Sequence, residues 1–503
     1  MKNPIGRPDS IALFGLFAAA ALLCTHAWGA RDLVPDLHDE FVYVFQAKLI
    51  LAGKLAAPPP PLPEFFEAAH LLVTPRFTSK YLPGHAVALA PFVALGAPWL
   101  WSCVAFLGIC WALFFALRWS DLPPPWAAAG ALLCAISVPA LRVWMTLLSH
   151  PTAALCVAIA LAAAARFRQA RSPWAAAAMA GAAAYAVWTR PFVGVALVLA
   201  TGAPVLLSRR GRPFAAYAGV LGLGALVVLA SCKAMTGGFL ETPWAQYARQ
   251  YMPFDGPGIG PIALRRPERA LPPHLQRLGA IFFDSRERHT WPRLGEAVWI
   301  RLGHLASYAP TALLLPLAAF GLSAGAPALV AALFVFFFFT LQLAFHSNAP
   351  FYLVEAWPAL AFLIALGSRR LWTLAAARPR PARLAAGSAL AVAAAFATVG
   401  AALALPGMHG LSAGGGRLYG IVEGLLEPVR SARGLVFLRY PPDWDVSLDF
   451  TYNEPDLNRA DAIRALDLGP RDDDLRRRYP NRPAFLLDLG TGALTRLPQL
   501  TSR

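Results

Sequence analysis

The stretch from Asp36 to Lys48 gathers Asp36, His38, Asp39, Glu40, Tyr43 and Gln46 among apolar residues. Its three carboxylates and its tyrosine fall at spacings of three, four and seven, which place them on one face of an α-helix. A carboxylate on such a face can take the proton from an attacking hydroxyl, the work of a general base, and Asp39 and Glu40 are the candidates. The same pattern also suits plain helix initiation. Asp36 would then be the N-cap, with Asp39 and Glu40 in the first turn, where the helix dipole favours negative charge.

A basic run follows: Arg76-Phe77-Thr78-Ser79-Lys80-Tyr81-Leu82-Pro83-Gly84-His85, immediately before an apolar stretch. Arg76 offers a bidentate fork to a phosphate and Lys80 a compact charge, with His85 beside them. Snorkelling of the same cations towards lipid head groups is the plain alternative. Arg142, His150 and Arg190 lie near the ends of otherwise apolar hairpins, where polar groups face a bundle interior or a cavity and are costly without partners. Arg190, in Thr189-Arg190-Pro191, can reach a phosphate or pair with an acid such as Glu355, and the sequence leaves both open. His150, followed by Pro151, suits a satisfied histidine at a helix start. Tyr352 and Glu355 enter an apolar run at Phe351-Tyr352-Leu353-Val354-Glu355-Ala356-Trp357-Pro358, which makes Glu355 a functional candidate by placement. Asp443-Trp444-Asp445 spells a metal-binding DxD, but it follows Pro441-Pro442 with no nucleotide-binding unit nearby, so a turn is expected. Asp472, Asp473 and Asp474 with Arg476, Arg477 and Arg478 read as a solvated charged face. No P-loop, GxGxxG or HExxH occurs.

The elements that must carry these residues follow from composition. Of 503 residues 57% are hydrophobic and 14% charged, too apolar a chain for one soluble core. Uncharged runs of about 20 residues, enough to cross roughly 30 Å of hydrocarbon, recur along it. The clearest are 11–30, 86–117, 213–232 and 384–405. Shorter ones are 126–141, 143–165, 173–189, 191–208, 302–322, 326–345 and 351–368. The run 86–117 is too long for one span, so an embedded helix to Pro98 and a crossing from Trp99 are expected. That gives about eleven transmembrane helices. The first run resembles a signal peptide, since Lys2 and Arg7 precede it and Gly29 and Ala30 end it, but its length suits a retained anchor.

Orientation follows from the short loops. With a cytoplasmic N-terminus, segments 1–10, 118–125, 166–172, 209–212, 323–325 and 369–383 hold 14 Lys and Arg against two acids, Asp9 and Asp121. The other 26 of the 28 acids then fall outside. The net charge of +16 thus reflects topology and contact with anionic lipid, and gives no ground for nucleic acid as a partner. Cys24, Cys103, Cys110, Cys134, Cys156 and Cys232 all sit in apolar runs without CxxC spacing, so neither a disulfide framework nor a zinc site is expected.

Three segments are neither spans nor short loops. Segment 31–85 holds the acidic stretch, in which Phe41, Phe45, Leu49 and Ala52 predict a helix on the membrane surface ending at Gly53. Segment 233–301 reads as an ordered irregular loop. The tail, 406–503, follows a glycine hinge at 414–416 and has soluble composition. Strands are expected at 434–440 and 485–489, a helix at 457–466, and a domain of this size could fold alone only marginally.

On these motifs the chain resembles the GT-C class of membrane glycosyltransferases, specifically bacterial relatives of the protein O-mannosyltransferase and aminoarabinose transferase families. His38-Asp39-Glu40-Phe41-Val42-Tyr43 is similar to their acidic first-loop motif, and Ser79-Lys80-Tyr81-Leu82-Pro83-Gly84 to the basic motif closing that loop. Thr189-Arg190-Pro191 and the Tyr352 to Pro358 segment are similar to further short motifs. The resemblance implies an all-α polytopic membrane protein, 1–405, with loops 31–85 and 233–301 outside, and a small α/β extracytoplasmic domain, 406–503. It also implies inverting transfer of a sugar from a polyprenyl-phosphate donor to a protein, lipid or glycan acceptor at the outer face of the plasma membrane. Asp39 would be the base and Lys80 would sit near the donor phosphate. Arg76 and Arg190 are further phosphate candidates, and Tyr43, His85, Arg142, His150, Tyr352 and Glu355 cavity candidates. A divalent metal is possible, and no other cofactor is implied. The chain departs from the family pattern at Phe351, where an arginine often precedes the tyrosine; if that arginine touches phosphate, another cation such as Arg190 or Arg76 substitutes, or activity is altered. A transporter or lipid flippase, or a non-catalytic scaffold, is the rival reading. A transporter would favour midplane charges and paired halves, which the sequence does not show.

Overall fold

The computed structural model describes residues 6–29, 35, 37–208, 210–261, 265–407, 415–445 and 447–500. Asp36, one of the helix-face acids, and Gly414 of the expected hinge lie outside the described residues. The chain divides into two compact units. One comprises Met1–Arg31, Trp99–Val228 and Thr290–His409; the other comprises Asp32–Pro98, Leu229–His289 and Gly410–Arg503. The first loop and the 233–301 segment, expected with the transmembrane part, thus fall largely in one unit with the tail.

The first unit is a helical bundle. Among the described residues of the whole chain, six helices are long and apolar enough to cross a membrane: Pro8–Gly29, Leu100–Arg118, His150–Ala170, Gly211–Thr236, Pro350–Ala376 and Arg380–Gly407. Two bent pairs, Pro124–Ala135 with Val138–Trp144 at 69° and Trp291–Tyr308 with Ala312–Ala324 at 95°, raise the number to eight if each pair is one span. Three more expected spans coincide with the helices Pro173–Thr189, Pro191–Leu207 and Ala326–Gln342, each 17 residues long. The chain is a multi-pass membrane protein.

Local chemistry explains the breaks. The expected boundary near residue 142 moves to Ser137, whose hydroxyl accepts the Ala140 N–H and donates to the Tyr308 carbonyl at 2.6 Å. Pro139 in the following turn suits a helix start there. The run 86–117 does split, into Gly84–Ala94 and Leu100–Arg118. Close helix approach is carried by small residues. A Cβ on Gly321 would meet the Leu363 carbonyl oxygen at 2.1 Å, and one on Gly367 the Leu317 carbonyl oxygen at 1.8 Å.

The second unit is built on a four-stranded sheet in the order Ile463–Leu466, Leu435–Arg439, Ala484–Asp488, Ala493–Arg496. Strand Leu435–Arg439 runs parallel to both neighbours, and the last strand is antiparallel. Successive side chains of a strand point to opposite faces. Leu435 and Phe437 accordingly enter a core with Val42, Phe45, Leu49, Phe65, Phe66 and Phe77, while Val436 and Leu438 enter a second core with Val422, Leu426 and Val429. Burial on both faces accounts for the unbroken apolar run of that strand.

Three expectations for this unit are corrected. Residues 463–466 form a strand, not part of a helix, because pairing with Leu435 to Leu438 overrides the helix-forming composition of the segment. The helix His38–Leu51 does end at Gly53, whose φ is 72°, but it turns Val42, Phe45 and Leu49 into the core rather than towards a membrane surface. Segment 233–301 is largely helical, with Pro243–Tyr251 and Gln276–Glu287 in this unit and the start of Leu294–Tyr308 in the first. Asp443-Trp444-Asp445 forms the expected turn, with the Trp444 N–H on the Pro441 carbonyl. The six cysteines are free.

Candidate active site

Within the second unit, helix His38–Leu51 presents Asp39 in its first turn, and a two-stranded hairpin, Leu71–Leu72 with Thr78–Ser79, carries Lys80 and Tyr81 at its end. Gln46 locks the two together. Its carbonyl oxygen accepts from the Thr78 hydroxyl at 3.1 Å and the Ser79 N–H at 3.2 Å, while its amide nitrogen donates to the Leu55 carbonyl at 2.9 Å. The motifs that open and close the first loop therefore meet.

Asp39 is the hub of the cluster. The Tyr81 hydroxyl donates to its Oδ1, Nδ1 of His38 lies 2.8 Å from its Oδ2, and Nε2 of His70 lies 3.7 Å from the same oxygen. Burial pushes the Asp39 carboxyl up, but the His70 and His38 imidazoles and the Lys80 ammonium outweigh it and hold the group well below the usual carboxylate range. Burial, then the Lys80 charge, pushes His70 below its ordinary value, and the Asp39 carboxylate acts against them.

Lys80 is buried, 6% exposed, with its ammonium 5.2 Å from the ring centre of Tyr81 and 5.1 Å from that of Tyr247. Among the described residues it has neither a hydrogen bond nor an ion pair through Nζ. Burial lowers its pKa, against which Asp255 and Asp39 act at longer range. A buried ammonium without a partner costs several kcal/mol, which an anionic ligand would offset.

His38, Asp39 and His70 could also hold a divalent cation. Each offers one ligand atom, all within 4.8 Å of one another. Two imidazoles and a carboxylate suit zinc or a first-row transition metal. The Lys80 ammonium, which acts on the same carboxylate, weighs against a second positive charge there.

The remaining expected residues have other partners. Glu40 is buried and turns back to accept the Leu37 N–H at 3.3 Å, as a residue of the helix start. Tyr43 stacks on Tyr81 at 4.9 Å, and buried His85 meets the Tyr43 ring edge-on at 4.7 Å. Arg76 donates to the Ala234 carbonyl. The first unit holds a separate cluster: Glu355, fully buried, receives Nδ1 of His150 and Nε of Arg190 on Oε1, both at 2.8 Å. Arg190 also donates to the Ser149 hydroxyl at 3.2 Å and lies over the Tyr352 ring at 5.9 Å. The ion pair with Glu355, one of the two roles open to Arg190, is formed. Arg142 is exposed in the short helix Val138–Trp144.

Sequence reasoning missed His70, Tyr247 and Asp255. His70 stands alone in an apolar run and carries no spacing signal. Tyr247 sits on the apolar face of Pro243–Tyr251, where its periodicity reads as core. Asp255, 4% exposed, accepts from Trp244 Nε1 at 3.2 Å, and only its isolation in an apolar, glycine-rich stretch marked it.

No protein-family model and no curated protein matches the chain. Solved structures do. ArnT from Cupriavidus metallidurans bound to undecaprenyl phosphate superposes with a TM-score of 0.53 and 14% identity over 94% of this chain and 92% of that one. The apo state of the same protein gives 0.52 and 15% over 95% and 93%. At such identity the likeness concerns the fold and covers nearly the whole of both chains. The chain therefore has a GT-C-type membrane fold, the class to which its first-loop and Tyr352 to Pro358 motifs pointed.

Proposed function

We propose that this chain transfers a sugar from a polyprenyl-phosphate donor to an acceptor hydroxyl at the extracytoplasmic face of the plasma membrane. The observation that carries the reading is the buried ammonium of Lys80, which has no hydrogen bond or ion pair among the described residues, near the carboxylate of Asp39. Such a pair suits a reaction in which negative charge departs next to a cation while a proton departs next to an anion. The fold adds support, since the matching ArnT structure holds undecaprenyl phosphate.

In this reading the acceptor oxygen attacks the anomeric carbon from the side opposite the phosphate, the carbon–oxygen bond to phosphate breaks, and the configuration inverts. The polyprenyl phosphate leaves with its charge against Lys80, which matters most in a water-poor site. Asp39 orients the hydroxyl and takes its proton as the new bond forms, then loses it to solvent. With its depressed pKa it is a weak base, so proton transfer comes late, when the attacking oxygen has become acidic. A lipid-linked donor confines the sugar to the interface and so reduces the entropy lost on encounter. About eleven spans, a cytoplasmic N-terminus and an extracytoplasmic tail complete the proposal.

The test is transfer from a radiolabelled polyprenyl-phosphate sugar by protein in nanodiscs, followed by mass analysis of envelope glycans. Asp39→Asn should lower turnover by about 10²–10⁴-fold with normal membrane insertion. Wild-type turnover in that variant removes Asp39 as base. Chelation with EDTA should leave turnover unchanged; loss restored by one divalent metal would instead make Asp39 a ligand.

A further inference from the structure

We propose that the C-terminal tail forms part of the reactive centre, with Asp449 and Tyr452 as positioning residues that hold His38 and His70 against Asp39. The proposal rests on the reading of Asp39 given above.

The argument begins at His70, whose φ of 62° lies in the left-handed region. For a residue with a Cβ this conformation is strained and persists only where the surroundings over-determine it. They do so here, because every backbone polar group of Ala69 and His70 is bound. The Ala69 N–H donates to Oδ2 of Asp449 at 2.8 Å, and the Ala69 carbonyl accepts the Tyr452 hydroxyl at 2.7 Å. The His70 N–H donates to the Tyr247 hydroxyl oxygen at 3.2 Å, and its carbonyl accepts the Lys80 N–H at 3.0 Å. Two of these four partners come from the tail.

The same tail segment reaches the other histidine. The Tyr452 hydroxyl is also 3.1 Å from the His38 carbonyl, across 414 residues of sequence, and the His38 N–H donates to the Ser447 carbonyl at 3.2 Å. Both imidazoles beside Asp39 are thus hung from backbone that the tail fixes.

The tail residues are themselves held. Asp449, fully buried, accepts from the Tyr440 hydroxyl at 3.1 Å and the Thr451 N–H at 2.9 Å, with Nε2 of His274 at 3.5 Å. Tyr440 stacks on His274 at 3.9 Å, and the Tyr452 ring stacks on Phe41 at 5.1 Å. Releasing the tail bonds would let His70 relax to negative φ, swinging its imidazole away from Asp39. Neither tail residue touches the reacting atoms; both act through the loop.

The experiment uses full-length protein in nanodiscs with a polyprenyl-phosphate sugar as donor. Tyr452→Phe removes one hydroxyl and keeps the stacked ring. The expected result is a kcat reduced ten-fold or more, a donor KM within two-fold of wild type, and faster hydrogen exchange confined to peptides covering 66–72. Wild-type kcat in Tyr452→Phe overturns the proposal, whether or not exchange changes; so does a loss of kcat with protection of 66–72 intact. Should Tyr452→Phe fail to accumulate, Asp449→Ala, which removes the acceptor of the Ala69 N–H, is read by the same three measurements. Asp39→Asn assayed in parallel separates the two ideas. Full turnover in that variant removes the base reading, whereas the Tyr452→Phe readouts decide the role of the tail.

Discussion

The Tyr81 hydroxyl donates to Oδ1 of Asp39, so the carboxylate edge that faces His38 and His70 is set by a residue of the loop's closing motif. A hydrogen bond to a charged group contributes about 1.5–3 kcal/mol. Tyr81→Phe keeps the ring that flanks the Lys80 ammonium and frees the carboxylate to rotate. Steady-state kinetics should show kcat reduced roughly ten-fold or more, with donor KM unchanged. A raised donor KM at constant kcat would instead put Tyr81 in donor binding.

Burial lowers the Lys80 pKa from the ordinary lysine value of 10.5, and binding of an anion would raise it again. The sign follows: in the free protein the ammonium is charged below its lowered pKa and neutral above it. Donor kcat/KM should therefore fall on the alkaline side at a pH below the ordinary lysine value, while kcat, which reports the complex, stays flat over the same range. Lys80→Arg keeps its charge throughout and should abolish that alkaline limb even if its turnover is lower. An alkaline limb that survives in Lys80→Arg belongs to another group.

How much of this was legible depends on the range of the interaction. Hydropathy runs located the helices of the membrane unit, because lipid imposes one length on every span and backbone groups must be satisfied within it. The bend at Ser137 was not visible, since it depends on a bond to Tyr308. The two motifs of the first loop proposed Asp39 and Lys80, and Gln46 joins the motifs in space, whereas the part played by Tyr81 was not singled out. His70 escaped because its contribution comes from a strained φ imposed by residues as distant as Asp449. Residues 463–466 read as helix because local propensity is weak against pairing with a buried parallel strand.

Glu355 is fully buried with Arg190 and His150 on one of its oxygens, and the other oxygen has no partner among the described residues. Arg190→Ala leaves that charge with a single imidazole, and breaking a buried pair costs about 3–5 kcal/mol. The melting temperature in nanodiscs should fall by roughly 10 °C on the usual scaling for a domain of this size. Replacing both partners, as Arg190→Met with Glu355→Met, should recover most of the loss, because no buried charge is then left unpaired. A single variant that melts like wild type would show that water reaches Glu355.

The tail strand Leu435–Arg439 buries Leu435 and Phe437 against Val42, Phe45, Phe65 and Phe66 of the first loop, and Tyr452, Leu457 and Ile463 share that core. Each large apolar side chain returned to water loses about 1.5–3 kcal/mol. Several together approach the 5–15 kcal/mol that holds a whole domain folded. The fragment Gly410–Arg503 expressed alone should therefore lack a cooperative thermal transition, bind a hydrophobic dye and give poorly dispersed amide resonances. Phe437→Ala in the full-length chain should destabilise the same unit by about 3–5 kcal/mol and raise hydrogen exchange in the helix His38–Leu51 as well as in the tail, since one core serves both. A fragment that melts cooperatively with dispersed resonances would mean that the tail is a domain in its own right, which the first loop only adjoins.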